Sequence, residues 1–236
     1  MIAGRSTLGA EAFDELVGAR PARASSAVAQ NDFDIGPSGP QELLKRVLDL
    51  LLAVLLLAVS LPLAALIAVL VKLTSAGPVL FRQTRVGWHE NEFQILKFRT
   101  MIHEADRLRD RLAMESEADG LFKMRGDPRM TAVGRVLRRS YLDELPQLLN
   151  VLRGEMSIVG PRPLIPDEDV AITGSGRRRL QMRPGITGDW QLLRGGGSSL
   201  DELIATDFRY VTGWSLWSDA RCLVKTVGFM LGMRGW

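Results

Sequence analysis

Hydrophobic positions crowd into one part of the chain. From Val47 to Leu73 the sequence is apolar almost without interruption, apart from Asp49, Ser60 and Lys72. A straight helix of about 25 such residues is about 37 Å long, enough to cross a hydrocarbon core of about 30 Å. The pattern predicts a membrane element over residues 41–75. Pro62 falls near its middle and breaks the i→i−4 ladder there, and Ser60 has a hydroxyl for part of the freed backbone. Both flanks are basic, with Lys45 and Arg46 before and Lys72, Arg82 and Arg85 after, so the positive-inside preference orients no crossing. A helix broken at Pro62 that enters and leaves by one face fits these features, because arms of about 11–14 residues, about 16–21 Å, are too short to cross alone. The pattern leaves both the re-entrant and the crossing form open. Asp49 is expected at the mouth of the helix, paired with Arg46 or a later arginine.

Beyond this run the periodicity shortens. Residues 79–83 and 92–98 read as strands with Gly87 between them. Residues 103–119 read as a charged, surface or interfacial amphipathic helix, and 126–129 as a turn before a helix carrying Val133, Val136, Leu137 and Arg138. In Ser140–Pro163, Ser140 has capping-box spacing to Asp143. Pro146 is tolerated in a first helical turn, which predicts a helix start near Leu142 or Asp143. Leu145, Leu148, Leu149 and Leu152 recur at helical spacing and predict its buried face. Asp167–Asp169 read as a helix start. Arg177–Arg179 form a basic cluster, solvated or on anionic headgroups. The tail is helix-prone, and Trp214, Trp217 and Trp236 suit either the headgroup zone or a core. Residues 1–40 are expected to be a disordered tail ending in Gly36-Pro37-Ser38-Gly39-Pro40, with a short helix near Glu11–Val17. They lack the basic start and apolar core of a secretory signal. The expected fold is a helix-rich α/β monotopic membrane protein: tail 1–40, membrane helix 41–75, and a small domain 76–236 with amphipathic interfacial helices.

Composition narrows the chemistry. The 236 residues carry a formal charge of +3 and a pI near 9.3, suited to an anionic membrane surface or phosphorylated substrates and too weak a bias for nucleic acid. One cysteine and two histidines leave no disulfide framework and no Cys/His zinc cluster, while a hard cation on carboxylates stays open. Asp143 and Glu144 are adjacent carboxylates expected at a helix N-terminus, whose dipole would keep Asp143 ionised. Arg138 and Arg139 lie upstream, and Arg162 follows in the stiff loop Gly160-Pro161-Arg162-Pro163. That set suits a phosphate ester with a divalent cation, although carboxylates in a first helical turn are also ordinary caps. Lys97 and Arg99 close an apolar strand, as solvated edge charges or as phosphate contacts.

From about Leu44 onward the chain resembles the bacterial sugar transferase family, the monotopic phosphoglycosyl transferases. The matching runs are Lys45-Arg46-Val47-Leu48-Asp49, Gly77-Pro78-Val79-Leu80-Phe81-Arg82-Gln83, Lys97-Phe98-Arg99-Thr100-Met101, and Leu142-Asp143-Glu144-Leu145-Pro146-Gln147-Leu148. Asn150-Val151-Leu152-Arg153-Gly154-Glu155-Met156-Ser157, Gly160-Pro161-Arg162-Pro163 and Arg183-Pro184-Gly185-Ile186-Thr187-Gly188 complete the set. The resemblance implies transfer of a sugar-1-phosphate from a UDP-sugar to polyprenyl (undecaprenyl) phosphate with release of UMP, on the cytoplasmic face of the inner membrane. It implies Asp143 as nucleophile, Glu144 as its partner, Mg2+ at the diphosphate, phosphate binding by Arg138 and Arg162, Lys97 lining the site, and a helix break at Ser-Pro. Here the serine is Ser60, one place further from Pro62, and Trp190 follows Asp189 where the family has leucine. Membrane lipids and a homodimer are the other partners left open. A non-catalytic subunit of a polysaccharide assembly complex and a Mg-dependent nucleotide-sugar hydrolase remain as alternatives.

Overall fold

The computed structural model describes residues 36–102, 105, 127–193 and 199–232. The tail before Gly36, the amphipathic helix expected at 103–119 and Trp236 lie outside the described residues. The apolar run forms one helix, α1 (Pro40–Thr74), entered through Pro40 in its first turn. It is followed by β1 (Leu80–Val86), β2 (Glu92–Phe98), α2 (Ala132–Arg139), α3 (Gln147–Arg153), β3 (Ser157–Val159), α4 (Pro166–Asp169), β4 (Gly185–Thr187), α5 (Asp189–Leu192), α6 (Leu200–Thr212) and α7 (Leu216–Leu231). β1 and β2 pair as an antiparallel hairpin, and β3 pairs with β4 in parallel. The architecture is therefore helix-rich α/β, with two small sheets instead of one continuous one.

Helical backbone runs through Pro62, where the sequence predicts a break. Proline has no N–H for the carbonyl of Ala58, and Ser60 does not serve that group. Its hydroxyl turns to the Leu57 carbonyl, at 3.5 Å.

What α1 buries is unusual for so apolar a helix. Leu43, Leu44, Val47, Leu48, Leu51, Val54 and Leu55 face outward, while Lys45, Asp49 and Ala53, one turn apart, are buried. The Lys45 ammonium donates to Asp219 at 2.6 Å and to the Val159 carbonyl at 3.1 Å. Asp49 accepts from the Ser157 hydroxyl at 2.8 Å and the Ile158 N–H at 3.1 Å. Asp219 also accepts from the Tyr210 hydroxyl at 2.7 Å and the Trp214 indole at 3.3 Å. Asp49 is thus paired inside the folded body, not with Arg46, whose guanidinium instead reaches the Met156 and Leu152 carbonyls. No residue between Ala53 and Ile67 is buried. At the far end of the helix, Ile67 and Val71 pack with Phe98 and Leu137. Both ends of α1 therefore rest on one body, and its apolar middle is largely exposed, with Leu57 and Ala64 partly packed.

The carboxy-terminal half is tied by buried charge. Arg179 is fully enclosed and binds Asp207 at 3.1 Å, Asp169 at 3.4 Å and the Arg162 carbonyl. Arg177 pairs with Asp169 and Glu90. Within the expected basic cluster Arg179 is thus an internal counter-charge, and Arg177 is a partly exposed ion-pair partner. Trp190 is core, packed with Leu164, Ile172 and Leu203. Trp217, by contrast, is 68% exposed and shares the outer face of α7 with Val224 and Val227.

Removing Asp49 strands the buried Ile158 N–H, at about 1–3 kcal/mol, and leaves the Ser157 hydroxyl only the Val159 carbonyl. We expect Asp49→Ala to lower the thermal midpoint in micelles and open the α1 junction to protease. Leu55→Ala, on the outward face, should change neither. An Asp49→Ala protein as stable as the parent would mean that this polar seam is not what joins the helix to the body.

Candidate active site

Asp143 and Glu144 do not open a helix. Ser140, expected as an N-cap, ends α2 and points backward, its hydroxyl donating to the Val136 carbonyl at 2.8 Å. Tyr141 then takes a left-handed conformation (φ 58°), and Leu142–Glu144 form a single 3₁₀ turn. Pro146 explains the geometry. Without an N–H it cannot make the i→i−4 bond to Leu142, so the turn closes by Glu144 N–H to Tyr141 at 3.2 Å and Leu145 N–H to Leu142 at 3.4 Å. α3 begins only at Gln147, with Pro146 at its cap. Its buried face is Gln147, Leu148, Asn150 and Val151, whereas Leu149 and Leu152, expected inside, are exposed.

Three devices hold this turn. Gly134 lets α2 lie against Thr100, since a Cβ there would stand 1.9 Å from the Thr100 carbonyl oxygen. Thr131 caps α2 by accepting from the Gly134 N–H at 2.8 Å. Asn150, which the sequence reading quoted only as part of a motif, is fully buried and staples α3 to β2. Its Oδ1 accepts from Leu96 N–H at 3.1 Å and its Nδ2 donates to the Gln94 carbonyl at 2.8 Å. Amide on amide at a strand edge leaves no periodic trace in a sequence.

β2 then presents Lys97 to the turn. Its ammonium donates to Glu144 at 2.6 Å in a pair that is one quarter exposed. Asp143 is 6% exposed. Burial pushes its carboxyl up to about 6; Lys97 pulls it down, Glu144 pushes it up and Arg138 pulls it down. The expectation that a helix N-terminus keeps Asp143 ionised is therefore replaced. Desolvation and a neighbouring carboxylate dominate, because no helix starts there. Tyr141, beside the pair, is pushed up to about 12 by burial and then by Glu144 and Asp143.

Of the expected site residues, Asp143, Glu144, Lys97 and Arg138 come together. Arg138 is half-buried on the last turn of α2, where its charge reaches both Asp143 and Asp127. Arg162 does not join them among the described residues. Its guanidinium lies 4.8 Å from the Trp190 ring centroid and its charge reaches Asp207. Its Nε is buried without a partner. No group of three or more His, Cys, Asp or Glu residues gathers among the described residues, so two carboxylates are what this turn offers a cation.

The structure thus gathers a buried carboxylate, a carboxylate–lysine pair and an arginine with no contact ion pair among the described residues. A profile of the family described as bacterial sugar transferase matches residues 40–233. The UDP-glucose:undecaprenyl-phosphate glucose-1-phosphate transferase of Caulobacter vibrioides is 46% identical over 208 residues, covering 83% of this chain and 74% of that protein. The exopolysaccharide production protein ExoY of Rhizobium meliloti is 41% identical over 197 residues, 81% of this chain and 87% of that protein. The undecaprenyl-phosphate galactose phosphotransferase of Salmonella typhimurium is 38% identical over 198 residues, 81% of this chain but 41% of that longer protein. The chain belongs to the bacterial sugar transferase family and is an enzyme of the phosphoglycosyl transferase type.

Proposed function

We propose that this enzyme transfers a hexose-1-phosphate from a UDP-sugar to polyprenyl phosphate, with UMP as the first product and Asp143 as the covalent carrier. The observation that carries the reading is the burial of Asp143 beside the Glu144–Lys97 pair. A carboxylate pushed up to about 6 is desolvated and is still mostly ionised at neutrality, as a nucleophile in a phosphoryl transfer needs. One Asp143 oxygen attacks the sugar-bearing phosphorus as the bond to UMP breaks and its electrons leave with UMP. An oxygen of the lipid phosphate then attacks the same phosphorus, and the carboxylate returns as the leaving group. Glu144 holds Lys97, and Arg138, which makes no contact ion pair among the described residues, is free to take phosphate oxygens.

The donor set suits Mg2+, which is commonly held by one or two carboxylates with substrate phosphates filling the rest. Asp143 and Glu144 would hold it, and its charge would offset that developing on the diphosphate.

The reading places the reaction at the cytoplasmic face of the inner membrane, where nucleotide sugars are made. Two observations support a re-entrant α1. Lys45 and Asp49 at one end, and Ile67 and Val71 at the other, pack on the same body. The 14 helical rises from Ala53 to Ile67 span about 21 Å as a straight helix, less than a hydrocarbon core of about 30 Å. The apolar outer face of α7, with Trp217, suits the headgroup zone beside it.

Enzyme mixed with Mg2+ and UDP-sugar, without lipid, should gain the mass of a sugar phosphate on Asp143, discharged by polyprenyl phosphate. Asp143→Asn should form none, Glu144→Gln should be severely slowed, and discharge by water alone would point to a hydrolase. Arg138→Ala should lower kcat/KM for the UDP-sugar about 10- to 100-fold, as expected for a charged phosphate contact, with a smaller loss for Arg162→Ala. Equal losses would put Arg162 at the reacting phosphate.

The pH profile follows from Asp143. Only its ionised form attacks, so at limiting Mg2+ the rate of UMP release should fall as pH drops through about 6. Lys97 lowers that value, so Lys97→Met should move the limb to higher pH, and Glu144→Gln should move it lower. A limb that stays put in Lys97→Met would assign it to another group.

Single cysteines at Ser38 and Glu90, with Cys222 replaced, should both resist an impermeant maleimide in spheroplasts. Labelling at Ser38 from outside would establish a crossing helix instead.

A further inference from the structure

Arg99 is 8% exposed and has no carboxylate within ion-pair distance among the described residues. One guanidinium nitrogen, Nη2, donates to the Ser75 carbonyl at 2.7 Å and to its hydroxyl at 2.8 Å. Nε and Nη1 are buried with no hydrogen-bond partner among the described residues. A buried cation normally has a counter-charge, because desolvating it without one is costly. The other enclosed arginines of this fold follow that rule: Arg129 pairs with Asp127 at 2.6 Å, and Arg179 with Asp207 and Asp169. Arg99 is the exception, and burial lowers its pKa accordingly.

Its position narrows what the missing anion is. The β1–β2 ladder continues one residue beyond β2, with the Arg99 N–H donating to the Val79 carbonyl at 2.9 Å. In extended backbone Arg99 therefore projects to the same face as Lys97, about 7 Å along the strand. Lys97 holds Glu144, so Arg99 lies one step from the reacting carboxylates. The partner of its guanidinium among the described residues, Ser75, is the first residue after α1. The turn over it is open at the surface, with Thr74, Ala76 and Pro78 exposed. Leading to that turn, Leu66, Val69, Leu70 and Leu73 form an exposed apolar stripe along the last turns of α1. An anion that meets an unpaired guanidinium at the end of a lipid-facing stripe is a phosphate with an apolar tail.

We infer that Arg99 receives the phosphate of the lipid acceptor, with its tail along the Leu66–Leu73 stripe and its attacking oxygen turned toward Asp143. This rests on the reading above of a lipid phosphate as second substrate. In the second step that oxygen forms the new P–O bond while the bond to Asp143 breaks, and no proton is required because the lipid phosphate is already ionised. Arg99 binds and orients; it carries no proton.

The test separates the two substrates. In the full-length protein in vesicles, Arg99→Gln should raise KM for polyprenyl phosphate at least about tenfold, with Arg99→Lys in between, while KM for the UDP-sugar stays within about twofold. UMP release in the absence of lipid should likewise stay within about twofold of the parent. A fall in that step equal to the loss in overall turnover, or an unchanged lipid KM, overturns the assignment. If the parent itself releases no UMP without lipid, the covalent reading fails, and the two KM values alone decide Arg99. A weaker hold on vesicles containing phosphatidylglycerol, with lipid KM unchanged, would mean that a bilayer headgroup is the anion, and would also overturn it. Should Arg99→Gln not fold, the parent answers: farnesyl phosphate in detergent should raise its thermal midpoint and farnesol, which lacks the phosphate, should not, while no shift with farnesyl phosphate removes the site.

Discussion

The structure depends on how an apolar helix is held by two charges. Lys45 and Asp49 are the polar side of α1, and both are spent inside the protein, on Asp219, Val159, Ser157 and Ile158. Breaking a buried pair of this kind by deleting one partner typically costs about 3–5 kcal/mol, because the other charge stays desolvated. The charges also decide direction. With Lys45 and Asp49 turned inward, the outward face of α1 from Leu43 to Leu55 is dominated by aliphatic side chains. Asp219 links this seam to α7, so the exposed apolar face carrying Trp217 and Val224 is oriented by the same pair that seats α1.

The Leu142–Glu144 turn is a second case of constraint by subtraction. Pro146 lacks a donor, Tyr141 turns the chain left-handed, and Gly134 removes a side chain so that α2 can touch Thr100. These leave Asp143 in a short 3₁₀ turn, without a helix terminus to stabilise its charge. Its neighbours, not a dipole, then set its acidity: Lys97 and Arg138 against Glu144 and burial. The arrangement is costly to the fold and useful to the chemistry, since an under-neutralised carboxylate pair is also where added positive charge binds best.

The arginines divide along similar lines. Arg177, Arg179 and Arg129 meet internal carboxylates, and Arg179 also grips the backbone of the Gly160–Pro163 loop. Arg138 and Arg99 meet none at contact distance among the described residues, and Arg162 lies on an indole. Residue type is the same throughout; what differs is which elements converge on each side chain.

Sequence alone determined the elements with a strong local cause. The long apolar run became α1, alternation around Gly87 became the β1–β2 hairpin, and Ser, Gly and Pro marked most ends. The motif runs named the family and singled out Asp143, Glu144, Lys97 and Arg138, which the fold does gather. Local rules failed where a distant partner outbid them. Ser140 looked like an N-cap until Pro146 denied the next turn its hydrogen bond, and Leu149 and Leu152 had helical spacing yet lost the core to Asn150 and Val151. Asp49 was expected to pair with Arg46 or a later arginine, because its actual donors, Ser157 and Ile158, lie more than a hundred residues away. Which charges are paired, and so how acidic Asp143 is and which arginines remain free for phosphate, depends on long-range contacts and burial. Those are properties of packing, and only the tertiary structure decides them.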